Sequence, residues 1–181
     1  MKQTRRTGSV RLTATLAALS AIGIILGKLL AFNITEFMRF SLENLTIILA
    51  GITLGPIYGL AVGIAQDLIG CLIVGYAINP IITLGCAAVG AVSGIVARLT
   101  AKRGRVISVT LAVFLSHTVG SVLIKSVGLS LFYSLPFGVT VAWRTLNYAI
   151  VGSIESILLV FLLKSKQLLS YFEKRGTNND L

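Results

Sequence analysis

Glu36-Phe37-Met38-Arg39-Phe40-Ser41-Leu42-Glu43-Asn44, followed by the apolar run 45–54 and by Gly55-Pro56, is the stretch on which the fold turns. Two carboxylates and an arginine stand here between long apolar segments of a chain whose mean hydropathy is +0.91. Charge at membrane depth is expensive and faces a cavity or a ligand rather than lipid. Together with Lys28, these residues form an ionisable island and the first place to look for function.

The 181 residues are 55% hydrophobic and 12% charged, with only 3 prolines, a composition that fits a helical integral membrane protein better than a water-soluble core. A helix needs about twenty residues to cross a bilayer. Segments 10–31, 56–75, 79–97, 106–127 and 137–163 meet that length, whereas 40–54 is short. Because the first run begins the series and more spans follow, it reads as a retained helix rather than a cleaved signal.

Charge decides whether the short segment crosses. Of the 16 cations, Lys2, Arg5, Arg6 and Arg11 precede the first run, Arg98, Lys102, Arg103 and Arg105 cluster mid-chain, and Lys164, Lys166, Lys174 and Arg175 follow the last. The positive-inside rule puts all three clusters in the cytoplasm. An even number of spans must then separate the first two, so 40–54 counts as a crossing. The expected fold is an all-α integral membrane protein of six transmembrane helices with both termini cytoplasmic. Residues 1–181 form one membrane domain: a basic N-terminus over 1–9, a six-helix bundle over 10–165 and a cytoplasmic tail over 166–181. The net charge of +10 serves topology in this reading, and no nucleic-acid partner is expected.

A short second helix cannot reach both surfaces at about 1.5 Å per residue, so residues 32–40 are expected to dip inward as an irregular first outer loop. Irregular backbone at membrane depth is tolerated where it lines a cavity, and interrupted segments mark transport sites. The four remaining cations, Lys28, Arg39, Lys125 and Arg144, all fall toward the outer side. So do Phe32, Phe37, Phe40, Tyr76, Phe132, Tyr133, Phe137, Trp143 and Tyr148, nine of the fourteen aromatic residues. Taken singly, each suits an interfacial belt with snorkelling cations. Arg144, Asn147 and Tyr148, spaced i, i+3 and i+4, instead form one polar stripe expected to face inward. An outer cavity with guanidinium forks, amides and rings suits a planar organic anion.

Several chemistries find no support. Gly23-Ile24-Ile25-Leu26-Gly27-Lys28 lacks the spacer and hydroxyl residue of a phosphate-binding loop, and the chain has no hydrolase or metalloprotease motif. No enzyme activity, metal or cofactor is expected. Cys71 and Cys86 lack CxxC spacing and read as buried hydrophobes. His117 reads as a packed residue bonded to a neighbouring helix, while Asp67 and Glu155 divide evenly between structural pairing and a role in coupling or substrate contact. An external energy source is then required. On the first helix Ala14 and Ala18, flanked by Thr13, Ala17 and Ala21, make a small-xxx-small face suited to a docked helix.

Over residues 10–165 the chain resembles the substrate-binding S components of energy-coupling factor (ECF) vitamin transporters, and within them the folate-specific group. The resemblance is densest at Leu26-Gly27-Lys28, at Glu36 through Leu45, at Gly55-Pro56 with Gly59, at Asp67-Leu68-Ile69-Gly70 and at Gly75 through Gly85. It departs at Thr46, where that group often has proline. The resemblance implies six membrane helices and a vitamin held near the outer surface of a bacterial cell membrane. It also implies a transmembrane coupling subunit docked at Ala14 and Ala18, two cytoplasmic ATPases, and a toppling motion that carries the site inward.

For folate, Arg39, Arg144 and Lys125 would meet the glutamate carboxylates. Glu43, Asn44 and Asn79 would meet the pterin edge, and Phe40, Tyr76, Phe137, Trp143 or Tyr148 would stack on its rings. Lys28, Glu36 and Asn147 complete the expected site. For Glu43 a salt bridge to Arg39 stands as the structural alternative. The rival functions are an S component for riboflavin, thiamine or a pyrimidine precursor, and a proton-coupled secondary transporter using Asp67, His117 and Glu155.

Overall fold

The computed structural model describes residues 2–33 and 39–165. Seven helical pieces follow one another: α1 (Lys2–Ile24), α2 (Glu43–Leu54), α3 (Pro56–Val74), α4 (Pro80–Thr100), α5 (Arg105–Ser116), α6 (Lys125–Tyr133) and α7 (Phe137–Lys164). A π-helical turn, Ile25–Leu29, extends α1, and a longer π-helical segment, His117–Ile124, joins α5 to α6 into one rod. Among the described residues, five continuous rods are long and apolar enough to span a membrane, and Glu43–Leu54 is the shorter sixth. Its 12 residues cover about 18 Å, well under the roughly 30 Å of a hydrocarbon core. The six-helix, all-α fold with a short second crossing is the one expected.

Two boundaries differ from the sequence reading. The fifth rod runs on to Tyr133 instead of ending near residue 127, so Lys125 lies two turns below its end. The last outer connection shrinks to residues 134–136, with Ser134 in a left-handed conformation at φ 53°. At the described ends of the first outer loop, Phe32 pairs with Phe40 and Asn33 with Arg39 in a two-residue antiparallel ladder.

The bundle is apolar outside as well as inside. Ile57, Leu99 and Phe161 are 76–79% exposed, a surface that only lipid covers favourably. Inside, Ile47, Ile48, Ala50, Val62, Val89, Val113 and Leu159 form the core. α4 is central, packed on α2, α3, α5 and the π-helical segment. Lipid tails are as apolar as leucine, so helices associate through close packing instead of hydrophobic expulsion. The closest approach is between Gly59 and Gly90, where a Cβ added to Gly90 would lie 2.1 Å from the Gly59 backbone.

α2 and α3 meet at Gly55, whose φ of 111° favours glycine, and Pro56 starts α3 at a position that needs no backbone donor. Arg98 lies over this junction. At the same end Arg105 Nη1 donates to the carbonyl of Leu163 at 3.0 Å. The mid-chain basic cluster and the end of α7 therefore share one face of the bundle, as the span count requires.

Candidate functional site

At the opposite end, α1 gives up regular winding. Its π-helical turn carries Gly27 and Lys28; a Cβ on Gly27 would fall 2.5 Å from that of Glu43, so glycine here lets the first turn of α2 sit against α1. The Phe32–Phe40 ladder returns the chain to that point, and Glu43 then stands in the first turn of α2, where the helix dipole favours a carboxylate. Gln66 of α3 donates to the Glu43 carbonyl at 2.6 Å and accepts from the Thr46 hydroxyl at 3.0 Å. Thr46, the departure from the folate group's proline, thus holds α2 to α3.

Lys125 Nζ reaches Glu43 Oε1 at 3.3 Å across the bundle. Lys125 is therefore one partner of Glu43. Asp67 accepts from the Thr83 hydroxyl at 2.6 Å, and the Lys28 ammonium lies 5.7 Å from the ring centroid of Tyr76. Gly23, Ile24, Lys28, Glu43, Gln66, Asp67 and Cys86 enclose a cavity of about 10 Å³, room for about one water molecule and far below the several hundred Å³ of a vitamin-sized pocket. The polar centre is contracted onto itself.

One member has nothing to contract onto. Asn44 is 0% exposed, and neither its amide nitrogen nor its oxygen has a hydrogen-bond partner. Leaving such a group buried and unsatisfied costs about 1–3 kcal/mol. Asn79 behaves in the opposite way. Its oxygen accepts from the backbone N–H groups of Ile81 and Ile82 and its amide donates to the Gly128 carbonyl at 3.1 Å, so it caps α4 ahead of Pro80 and ties α4 to α6.

A second polar cluster lies beside the first, between the π-helical segment and α7. The Arg144, Asn147, Tyr148 stripe faces inward: Asn147 and Tyr148 are 7% and 9% exposed, whereas Leu146 is 52%. Arg144 Nε donates to the Ser121 carbonyl at 2.6 Å, its Nη2 donates to the Tyr148 hydroxyl at 3.4 Å, and its guanidinium sits 5.3 Å from the Tyr148 ring centroid. His117 bonds Glu155 at 2.5 Å, matching the expectation of a histidine tied to a neighbouring helix. The half-buried Phe40 packs on the cluster of Val122, Tyr148 and Val151.

Tyr76, Phe132, Tyr133, Phe137 and Trp143 are 39–55% exposed and form a rim instead of the buried floor. Glu36 lies outside the described residues, and Arg39 is described only through its place in the ladder. Sequence reading missed Gln66, Thr83 and Ser121 and set Cys86 aside. The available signal was modest: Gln66 adjoins Asp67, and Thr83 follows Asn79 by one turn. On α1, Ala14, Ala17 and Ala18 point out of the bundle, while Thr15 and Leu19 are buried.

Similar proteins share this architecture. A crystal structure of FolT bound with folic acid superposes at a TM-score of 0.68 and 23% identity, covering 87% of this chain and 95% of that one. The S component of a bacterial ECF transporter matches at 0.62 and 22%, over 92% and 99%. An S component for biotin matches at 0.63 and 17%, over 91% and 96%. No curated protein sequence matches. The family model described as the substrate-specific component of ECF transporters matches residues 11–163, and the chain belongs to that family of multi-pass membrane transport subunits.

Proposed function

We propose that this subunit binds folate, or a closely related anionic pterin, at the Lys28 end of the bundle and delivers it to the cytoplasm without chemistry. The observation that carries the reading is the buried, unbonded amide of Asn44 next in sequence to Glu43, itself paired with Lys125. A ligand presenting a donor–acceptor edge and two carboxylates suits this set. Its pterin edge would satisfy Asn44 and take over Glu43. Its carboxylates would meet Lys125 and the edge of the Arg144 guanidinium, with Lys28, Tyr76 and Trp143 at the mouth. The structural likeness to a folate-bound relative supports the same choice.

Orientation follows from charge: the end holding Arg98, Arg105 and Lys164 would face the cytoplasm of a bacterial cell, leaving the site open to the exterior. The outward Ala14–Ala18 face would dock on a transmembrane coupling subunit served by two ATPase subunits, since close backbone approach is what small residues permit. A proton relay has weaker support, because Asp67 bonds Thr83 and Cys71 while His117 and Glu155 bond each other, and no hydrogen bond named here joins the two groups.

The test is purification followed by calorimetric titration. Folate should bind with one-to-one stoichiometry to the isolated subunit, and vesicles containing it alone should accumulate none. A flat folate titration with a saturable response to riboflavin or biotin would move the assignment to another vitamin, and uptake by the lone chain under a pH gradient would overturn the class.

A further inference from the structure

Glu155 is a carboxylate at membrane depth with 0% exposure and one oxygen, Oε1, without a hydrogen-bond partner. Burying a charge this way is unfavourable, and apolar side chains would join the same helices more stably. A tether between α7 and the π-helical segment therefore does not account for the pair it forms with His117. What the pair touches does.

His117, 2% exposed, contacts both residues that hold Arg144. Its Nδ1 lies 3.2 Å from the Ser121 hydroxyl, and the Ser121 carbonyl accepts from Arg144 Nε. Its ring stacks on Tyr148 with centroids 4.6 Å apart and planes at 26°, and the Tyr148 hydroxyl accepts from Arg144 Nη2. Two separate routes thus run from one imidazole to one guanidinium. With Glu155 accepting from Nε2–H, Nδ1 is left to accept from Ser121 Oγ–H; the carboxylate fixes the ring's orientation and the ring fixes both supports. Arg144 is held through Nε and Nη2, while its Nη1 edge bonds nothing among the described residues. A guanidinium gripped on one edge and open on the other is arranged for bidentate recognition of a carboxylate.

We propose that Glu155 and His117 are positioning residues for Arg144, setting the guanidinium plane that receives the carboxylate end of the ligand. The proposal rests on the folate reading above. Its test uses the full-length subunit in detergent and two ligands, folate and pteroate, which share the pterin and aminobenzoate but differ in the glutamate. Glu155→Gln should weaken folate about tenfold, the scale of a lost charge-assisted bond, while changing pteroate less than about twofold. In an Arg144→Ala background the same substitution should add no further loss.

Ser121→Ala, a small change that keeps the fold, severs one of the two routes and should show the same selectivity on a smaller scale, about threefold. Equal losses for both ligands, or additive losses in the double variant, would overturn the proposal in favour of a purely structural role. The Arg144 Nε–H resonance, identified by its disappearance in Arg144→Lys, gives a ligand-free readout. It should shift in Glu155→Gln, and an unmoved resonance would also overturn the proposal. If the wild type binds no folate, the functional reading fails while this resonance still decides the positioning role.

Discussion

Near Gly55-Pro56, helices α2, α3 and α4 meet backbone to backbone through Gly51, Gly59 and Gly90. Near Lys28 side chains join these helices to one another and to α6: Gln66 on the Glu43 carbonyl, Thr83 on Asp67, and Lys125 on Glu43. The first kind of contact has no slack, because glycines in register admit one separation. The second can exchange partners at modest cost, because each polar group accepts a substitute of similar chemistry. One end of the bundle is a fixed hinge block and the other an adjustable mouth, which is the division a subunit needs if it is to admit a vitamin without losing its fold.

The contrast breaks most visibly at the block. Gly90→Leu drives side-chain atoms into the α3 backbone and should cost more than about 3 kcal/mol, seen as loss of folded protein on detergent extraction and no binding of any ligand. At the mouth, Arg144→Ala should lower stability by only about 1–2 kcal/mol, through the Ser121 carbonyl left without its donor, and lower folate affinity by about 10- to 100-fold, the range for a lost hydrogen bond to a charged group. Calorimetry alongside thermal unfolding separates the two outcomes.

Asn44 sharpens the comparison because stability and binding should move in opposite directions. Asn44→Leu removes a buried amide that has no partner and should raise the stability of the ligand-free protein by about 1 kcal/mol while weakening folate about tenfold. A drop in stability would show that the amide serves the fold. The smallest effect on binding belongs to α1: Ala18→Phe adds bulk to an outward face and should leave folate affinity within about twofold. Uptake by the assembled transporter should nevertheless fall sharply, as measured with labelled folate in vesicles.

Helix number and order were legible in the sequence because they depend on local quantities: run length, charge clusters and the parity that places residues 45–54 in the membrane. Local chemistry also showed the Gly55-Pro56 break. The site was legible only as a list. Lys125 and Glu43 are 82 positions apart, and periodicity does not pair them. The two π-helical stretches, Ile25–Leu29 and His117–Ile124, lie inside continuous apolar runs and carry no composition signal.

Asn79 carries two signals at once. Its place before Pro80 is a helix-cap signature, yet its position among outer polar residues drew it into the expected ligand set, and the structure spends its hydrogen bonds on α4 and α6. Residue 127 reads as the end of the fifth span because about twenty residues from 106 already suffice to cross, whereas the helix runs on to Tyr133 and leaves Lys125 two turns below its end.

A structure of the folate-saturated subunit decides whether the vitamin enters by parting Glu43 from Lys125 and bonding the Asn44 amide. The 3.3 Å contact between Lys125 Nζ and Glu43 Oε1 should be parted, the Asn44 amide should bond the pterin, and the Gly59–Gly90 contact should be unchanged. Folate bound elsewhere, with the Glu43–Lys125 pair intact and Asn44 still unbonded, would contradict that mode of entry.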